Sequence, residues 1–394
     1  MTWPLSQRIQ SFKPSATVSI SNLASQMRTD GEDVINLAVG EPDFDTPSHI
    51  MEAAITAIKA GQTRYTHVAG TLLLRQTVCD KYQRENQLSY QANQVLVSNG
   101  AKHSIYNLTV ALLEAGDQVI IPAPYWVSYS AMVAMAGAQA IIIPCPASQA
   151  FKVTAAQLSE AITPATKLLM LNSPSNPSGQ AYSHDEWMAI GQVLRLHPQV
   201  IILSDDIYEH IYWGQEPLVN LLNVCPDLAN RCVLVNGVSK AYAMTGWRIG
   251  YAVGPETIIA AMTNVQIESS SCASSISQAA AAAALGGPQH LLQPMISAYQ
   301  QRHDYVVGEL NMMQGLVTLP SQGTFYSFVE CSETIAQLGY EDDLSLVEGI
   351  LTSTGVALVP GSAFGLPNHF RLSYATNMSV LEQACERLRS FFNR

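Results

Sequence analysis

Short apolar runs recur along the middle of the chain. Val95–Val97, Gln118–Ile121, Ala140–Ile143, Leu168–Leu171, Val200–Leu203, Val233–Val235 and Ile249–Val253 have Gly, Pro, Asn or Asp within two residues of at least one end. Continuous runs of this length predict strands buried on both faces. Several are separated by segments long enough for a crossover helix, such as Lys102–Leu113, Tyr125–Met135 and Asp185–Leu196. That alternation predicts an α/β fold with a mostly parallel, seven-stranded sheet and helices on both faces. The last connections are less regular and leave room for an antiparallel strand.

Near Gly286 the texture changes. Two long helical stretches are predicted, then strand-like Phe325–Phe328, Val356–Val359 and Phe370–Tyr374, then a final helix from Ser379 to Phe392. Strands and helices outside the alternating block predict a second, smaller α+β domain. The expected division is a large domain over 46–300 and a small domain built from 1–45 plus 301–394. The chain's 394 residues, 48% of them hydrophobic, suffice for two cores.

Charge and cysteines narrow the class. The net charge of -11 argues against nucleic acid or an anionic membrane as a main partner. The seven cysteines are scattered without a C-x-x-C pair, so no metal site is expected and reduced thiols in a cytoplasmic protein are. The N-terminal residues lack the apolar core of a signal peptide. The alanine run Ala279 to Ala284 is too short to span a bilayer and reads as a close-packed helix.

Open α/β sheets bind ligands beyond the carboxyl ends of their strands, so the residues that follow each apolar run matter most. Ser98-Asn99-Gly100-Ala101-Lys102 opens a helix with a glycine turn, which can offer N–H groups to a phosphate or merely cap the helix. Pro124-Tyr125-Trp126 brings an aromatic that could cover a planar ring or sit in the core. Asn172-Ser173-Pro174-Ser175-Asn176-Pro177-Ser178-Gly179 is dense turn chemistry with Asn side chains at a strand end. Ser204-Asp205-Asp206-Ile207-Tyr208 places a carboxylate where burial demands a cationic partner. Asn236-Gly237-Val238-Ser239-Lys240 offers a lysine for Schiff-base chemistry. Thr245-Gly246-Trp247-Arg248 could bring Arg248 to a phosphate. Each has a structural explanation when taken alone. Together they put phosphate donors, an aromatic plate, an Asn, an acid–Tyr pair, a Lys and an Arg at one sheet edge, the set that pyridoxal 5'-phosphate requires.

The segments Asn176-Pro177-Ser178-Gly179, Ser204 to Tyr208, Ser239-Lys240-Ala241-Tyr242-Ala243-Met244-Thr245-Gly246-Trp247-Arg248 and Phe370-Arg371-Leu372-Ser373-Tyr374 resemble the class I/II aminotransferases of pyridoxal-phosphate fold type I. The resemblance covers essentially the whole chain. It implies that Lys240 holds the cofactor as a Schiff base and moves the proton, that Asp205 pairs with the pyridinium nitrogen, and that Tyr208 and Asn176 bond the phenolic oxygen. It further implies phosphate contacts from Gly100, Ala101, Lys102 and Arg248, with Trp126 on the ring. Arg371 resembles the arginine that clamps the substrate α-carboxylate, and Gly40 lies in the N-terminal segment over the substrate. Tyr65 resembles a tyrosine that reaches the neighbouring subunit's phosphate, which implies a homodimer with shared sites. One position departs from the pattern: Gly237 stands where many relatives have a hydroxyl residue, and Ser239 is the nearby alternative.

Lys13-Pro14-Ser15-Ala16-Thr17 resembles the start of a bacterial aspartate aminotransferase subgroup. That likeness implies amino transfer from aspartate to 2-oxoglutarate, ping-pong through a pyridoxamine form. Lys102 would meet the distal carboxylate, Thr17 and Ser15 could add hydroxyl contacts, and Lys13 bears on prephenate. Prephenate, aromatic and alanine-type substrates are alternatives, as is a C–S lyase of the same fold. A transcription regulator with an aminotransferase-like domain is a rival of another class. Such regulators carry a DNA-binding domain ahead of the cofactor domain; only 1–45 precede the large domain expected here and the chain is acidic, so this reading is not expected.

Overall fold

The apolar runs form one sheet. In the computed structural model, which describes residues 3–6, 9 and 16–393 (16–18 by backbone alone), a short strand β1 (Ile35–Asn36) precedes it. The sheet comprises β2 (Val95–Ser98), β3 (Gln118–Ala123), β4 (Gln139–Pro144), β5 (Thr166–Asn172), β6 (Ile201–Asp205), β7 (Cys232–Gly237) and β8 (Gly250–Val253). Its order is β2-β8-β7-β6-β5-β3-β4. β8 runs antiparallel to both neighbours, and all other pairings are parallel.

Both faces are covered because successive side chains point to opposite sides. On β5, Leu168 and Met170 enter a core with Ile105, Tyr129 and Met262 of the helices Ala101–Leu112, Ser128–Met135 and Glu256–Ser269. Leu169 and Leu171 enter the opposite core, with Ile50, Leu74, Trp187 and Ala280. The alanine run lies in the helix Ser275–Gly286, where Ala280, Ala281 and Ala284 are buried. Small side chains there let the helix Ser48–Lys59 pack closely against it.

The C-terminal part builds a second sheet, β12-β13-β10-β9, from β9 (Val317–Thr318), β10 (Tyr326–Glu330), β12 (Val359–Pro360) and β13 (His369–Ser373). β11 (Val356–Ala357) pairs parallel with β1. Ile20, Ala24, Leu37 and Ala38 share a core with this sheet and with the final helix, Met378–Phe392.

Three expectations are corrected. Between Gly286 and Phe325 there is one long helix, Gln293–Leu310, entered through a 3-10 turn; the next long helix, Asp343–Thr354, comes after β10. The apolar Val356–Val359 is split between β11 and β12, which belong to different sheets. The helix expected from Tyr125 begins at Ser128, because Pro124, Tyr125 and Trp126 form the turn after β3.

Candidate active site

A cavity of about 510 Å³ opens where β3, β5, β6 and β7 end. It is lined by Asn176, Asp205, Tyr208, Lys240, Arg248 and Arg371, with Gly40, Ala101, Lys102 and Trp126 also on its wall. Residues far apart in the sequence meet here because parallel strands deliver their following loops to the same edge.

Asp205 ends β6 and is 4% exposed. Its carboxylate accepts hydrogen bonds from the Tyr129 hydroxyl (2.6 Å) and the Ile207 N–H (3.3 Å). Burial pushes its acid up to about 6 against those two bonds and the more distant Lys240. A carboxylate kept dry in this way calls for a cation. Asp206 points elsewhere, accepting from the Ser204 hydroxyl, and is not on the cavity wall.

Lys240 follows β7 and donates from Nζ to the Gly40 carbonyl at 2.6 Å. Burial, and then the positive charge of Arg371, bring its ammonium down to about 8. Asn172 braces two turns: its Nδ2 donates to the Asp205 carbonyl (2.7 Å) and its Oδ1 accepts from the Asn176 N–H (2.7 Å). Arg371, on β13, is 6% exposed. It donates from Nη1 to Asn176 Oδ1 (3.0 Å) and from Nη2 to the Ala38 carbonyl (2.7 Å), while Nε has no partner. An unpaired buried guanidinium edge is a receptor for a carboxylate.

At the opposite wall, Ala101 and Lys102 start the helix Ala101–Leu112. The first N–H groups of a helix have no partner within it. Arg248 has a left-handed φ of 56°, uncommon outside glycine. Its guanidinium folds back to the Thr245 carbonyl (3.0 Å) and the Asn99 carbonyl (3.1 Å). It packs on Gly100, where a Cβ would overlap it. Gly100 therefore shapes this wall from behind without lining the cavity. Lys102 lies with Nζ 4.9 Å from the Trp126 ring centroid and lines the cavity while remaining exposed to solvent. Burial and Arg248 lower its ammonium's pKa.

Gly237 leaves no room for a hydroxyl side chain: its Cβ would meet the Ile249 carbonyl at 2.9 Å and Gly250 Cα at 3.0 Å. Ser239 lines the cavity instead. Tyr65 is outside this cavity and 92% exposed. Lys13 and Ser15 lie outside the described residues, as does the side chain of Thr17, whose backbone is in the helix Ala16–Thr29. Reading strand ends missed Tyr129, Glu41, Tyr326 and Phe364; the last three line the cavity. Among the described residues, Glu85, Glu209 and His210 have spacing that could suit a metal, but Lys81 already sits between the two carboxylates.

A covered, mostly parallel sheet with a half-buried Lys, a buried acid and two arginines around one cavity defines an enzyme of amine and carboxylate chemistry. The profile of the aminotransferase class I and II family matches residues 32–388, and the chain belongs to that family. It is 47% identical to the aspartate/prephenate aminotransferase of Nitrosomonas europaea, over 99% of this chain and 100% of that protein. It is 45% identical to an aspartate aminotransferase of Rhizobium meliloti, over 98% and 96% of the two chains. A crystal structure of the aspartate aminotransferase from Rhizobium meliloti superposes with a TM-score of 0.96 at 44% identity, covering all of both chains. The Thermus thermophilus aspartate aminotransferase with maleate superposes at 0.91, with 37% identity over 99% and 100% of the chains. The expected fold and class of enzyme are borne out.

Proposed function

We propose that this aminotransferase works with pyridoxal 5'-phosphate held in the cavity and transfers the amino group of aspartate to 2-oxoglutarate. The observation that carries the cofactor reading is the pair Lys240 and Asp205, a half-buried amine and a buried acid on one cavity wall. Their needs are complementary to the cofactor's aldehyde and ring nitrogen. When bound, the cofactor supplies an electron sink that makes the substrate's Cα proton removable.

The chain's own groups then have distinct tasks. Asp205 keeps the ring nitrogen charged. Arg248, Ser239 and the N–H groups at Ala101 and Lys102 hold the phosphate, with Gly100 permitting the close packing. Tyr208 and Asn176 meet the phenolic oxygen, and Trp126 covers the ring. Arg371 grips the α-carboxylate through its open Nε edge, under the segment bearing Gly40. Lys240 takes the Cα proton. Its depressed pKa matters here, because only the neutral amine can accept one.

Aspartate is favoured by the names of the relatives and by two cations, Arg371 and Lys102, set on one cavity. Losing one charge-assisted hydrogen bond costs roughly 10- to 150-fold in kcat/KM. Lys102→Ala should lower activity on aspartate and glutamate by that order and leave alanine and phenylalanine nearly unchanged. Arg371→Ala should weaken all four. An equal loss on every donor from Lys102→Ala, with looser cofactor binding, would assign Lys102 to the phosphate and remove the basis for aspartate. The name of the Nitrosomonas relative makes prephenate the second acceptor to assay.

The division into a large domain over 46–300 and a small one from 1–45 plus 301–394 fits this chemistry, with Arg371 and Gly40 supplied by the small part. The helix Gln293–Leu310 runs across that border. A homodimer is supported by an exposed apolar face: Met51, Ile55 and Ile58 on the helix Ser48–Lys59, with Tyr65, Leu72 and Leu73 following. Single exposed apolar residues are ordinary, but a run over one helix, the loop after it and the start of the next helix, Leu72–Asn86, favours an interface. Sedimentation should give twice the chain mass at micromolar concentration. An active monomer would leave Tyr65 without a role.

A further inference from the structure

Three anchors of the cavity meet on Tyr326. It lies on β10, which pairs with β13 in the register Tyr326↔Ser373 and Phe328↔Arg371. Residues two apart on a strand share a face, so Tyr326 is the diagonal neighbour of Arg371. The Arg371 guanidinium carbon is accordingly 4.3 Å from the centroid of the Tyr326 ring, with the Phe364 ring at 5.0 Å. The Tyr326 hydroxyl is 3.1 Å from the Tyr208 hydroxyl. It also fills the space that a Cβ on Gly40 would need, and the Gly40 carbonyl is the acceptor for Lys240. Tyr326 is 1% exposed, so water does not compete for these contacts.

Packing alone does not account for this placement. Among the described residues Arg371 has no carboxylate partner, so the two aromatic rings, Asn176 and Ala38 hold its plane. A guanidinium fixed before its ligand arrives loses less entropy on binding. A phenol that accepts a hydrogen bond becomes a stronger donor through the same oxygen.

We propose that Tyr326 is a positioning residue coupling the two halves of the site: its ring fixes the Arg371 plane for the substrate carboxylate, and its hydroxyl supports the Tyr208 phenol toward the cofactor's phenolic oxygen. This rests on the cofactor reading above. Tyr326→Phe removes the hydroxyl and keeps the ring. Loss of one neutral hydrogen bond corresponds to roughly 2- to 10-fold, expected in kcat with KM for aspartate unchanged. The pH midpoint of the bound cofactor's visible absorbance change should move upward, because the phenolic oxygen's anion loses support. In a Tyr208→Phe background the same substitution should shift the midpoint no further, since coupled residues are not additive. Tyr326→Leu should also raise KM for aspartate and alanine alike.

A midpoint that stays put in Tyr326→Phe overturns the proposal. So does an equal second shift in the Tyr208→Phe background. If Tyr326→Leu does not fold, the Phe substitution carries the test alone, its melting temperature serving as the control. A parent protein that takes up no cofactor and shows no visible band removes the cofactor reading itself, a result distinct from either of these.

Discussion

Lys240→Ala is expected to remove transamination and the visible band of the lysine-bound cofactor together. Loss of a general acid–base group typically costs 10²- to 10⁴-fold, and here the covalent attachment goes as well, so the fall should exceed about 10⁴-fold. The substitution leaves a small void at the cavity floor and frees only the Gly40 carbonyl, so the protein should still fold. Near-normal turnover in this variant would end the assignment. A second readout needs no cofactor. With its pKa brought down to about 8 by burial and Arg371, roughly a tenth of Lys240 is neutral at pH 7, against far less than 1% for an ordinary lysine. Acylation of Lys240 by a small anhydride, which transfers its acyl group to the neutral amine and releases a carboxylate, followed by mass spectrometry, should accelerate with pH up to about 8 and level off above it. A rate still climbing at pH 10 would show an ordinary, solvated ammonium.

The parts of the site legible in the sequence are those delivered by strand ends of the large sheet. Asp205, Lys240 and Asn176 each follow a buried apolar run, and that local pattern fixes both the strand and where its exit loop goes. Arg371 was reached by resemblance, because its strand sits in a sheet whose pairing the sequence leaves open. Tyr326 is on the neighbouring strand, and nothing in the run Phe325–Phe328 says which of its residues share a face with Arg371. That depends on the register Phe328↔Arg371, a property of two segments some forty residues apart. Tyr129 was hidden for another reason: it is on a helix behind β6, and its apolar neighbours Met132 and Val133 make it read as core. The two-residue strands β1, β9, β11 and β12 carry no period at all. Only their partners define them.

Asp205→Asn is expected to cost on the order of 10²- to 10³-fold in kcat, the range for removing one preorganised electrostatic group, with little change in KM. The amide keeps the shape of the carboxylate and can still accept from the Tyr129 hydroxyl, so the loss isolates the charge. Asp206→Asn is the control, because Asp206 faces Ser204 and the opposite side of the sheet; its effect on kcat should be within a few-fold. If Asp206→Asn were the damaging change, the two acids would exchange roles. Stability should move the other way. Asp205 has a model-peptide acidity near 4 and about 6 in the folded, cofactor-free protein, raised chiefly by burial. Between those values the folded state holds a proton that the unfolded chain has released. Stability from this residue is therefore present in acid and lost as pH rises through about 6. Above that window the bare carboxylate is a cost that asparagine does not carry. Cofactor-free Asp205→Asn should melt higher than the parent at pH 7.5 and lose that margin toward pH 4, where both side chains are uncharged. A margin independent of pH would show that the carboxylate is not desolvated. A higher melting point combined with crippled turnover is what a group retained for chemistry rather than for folding should give.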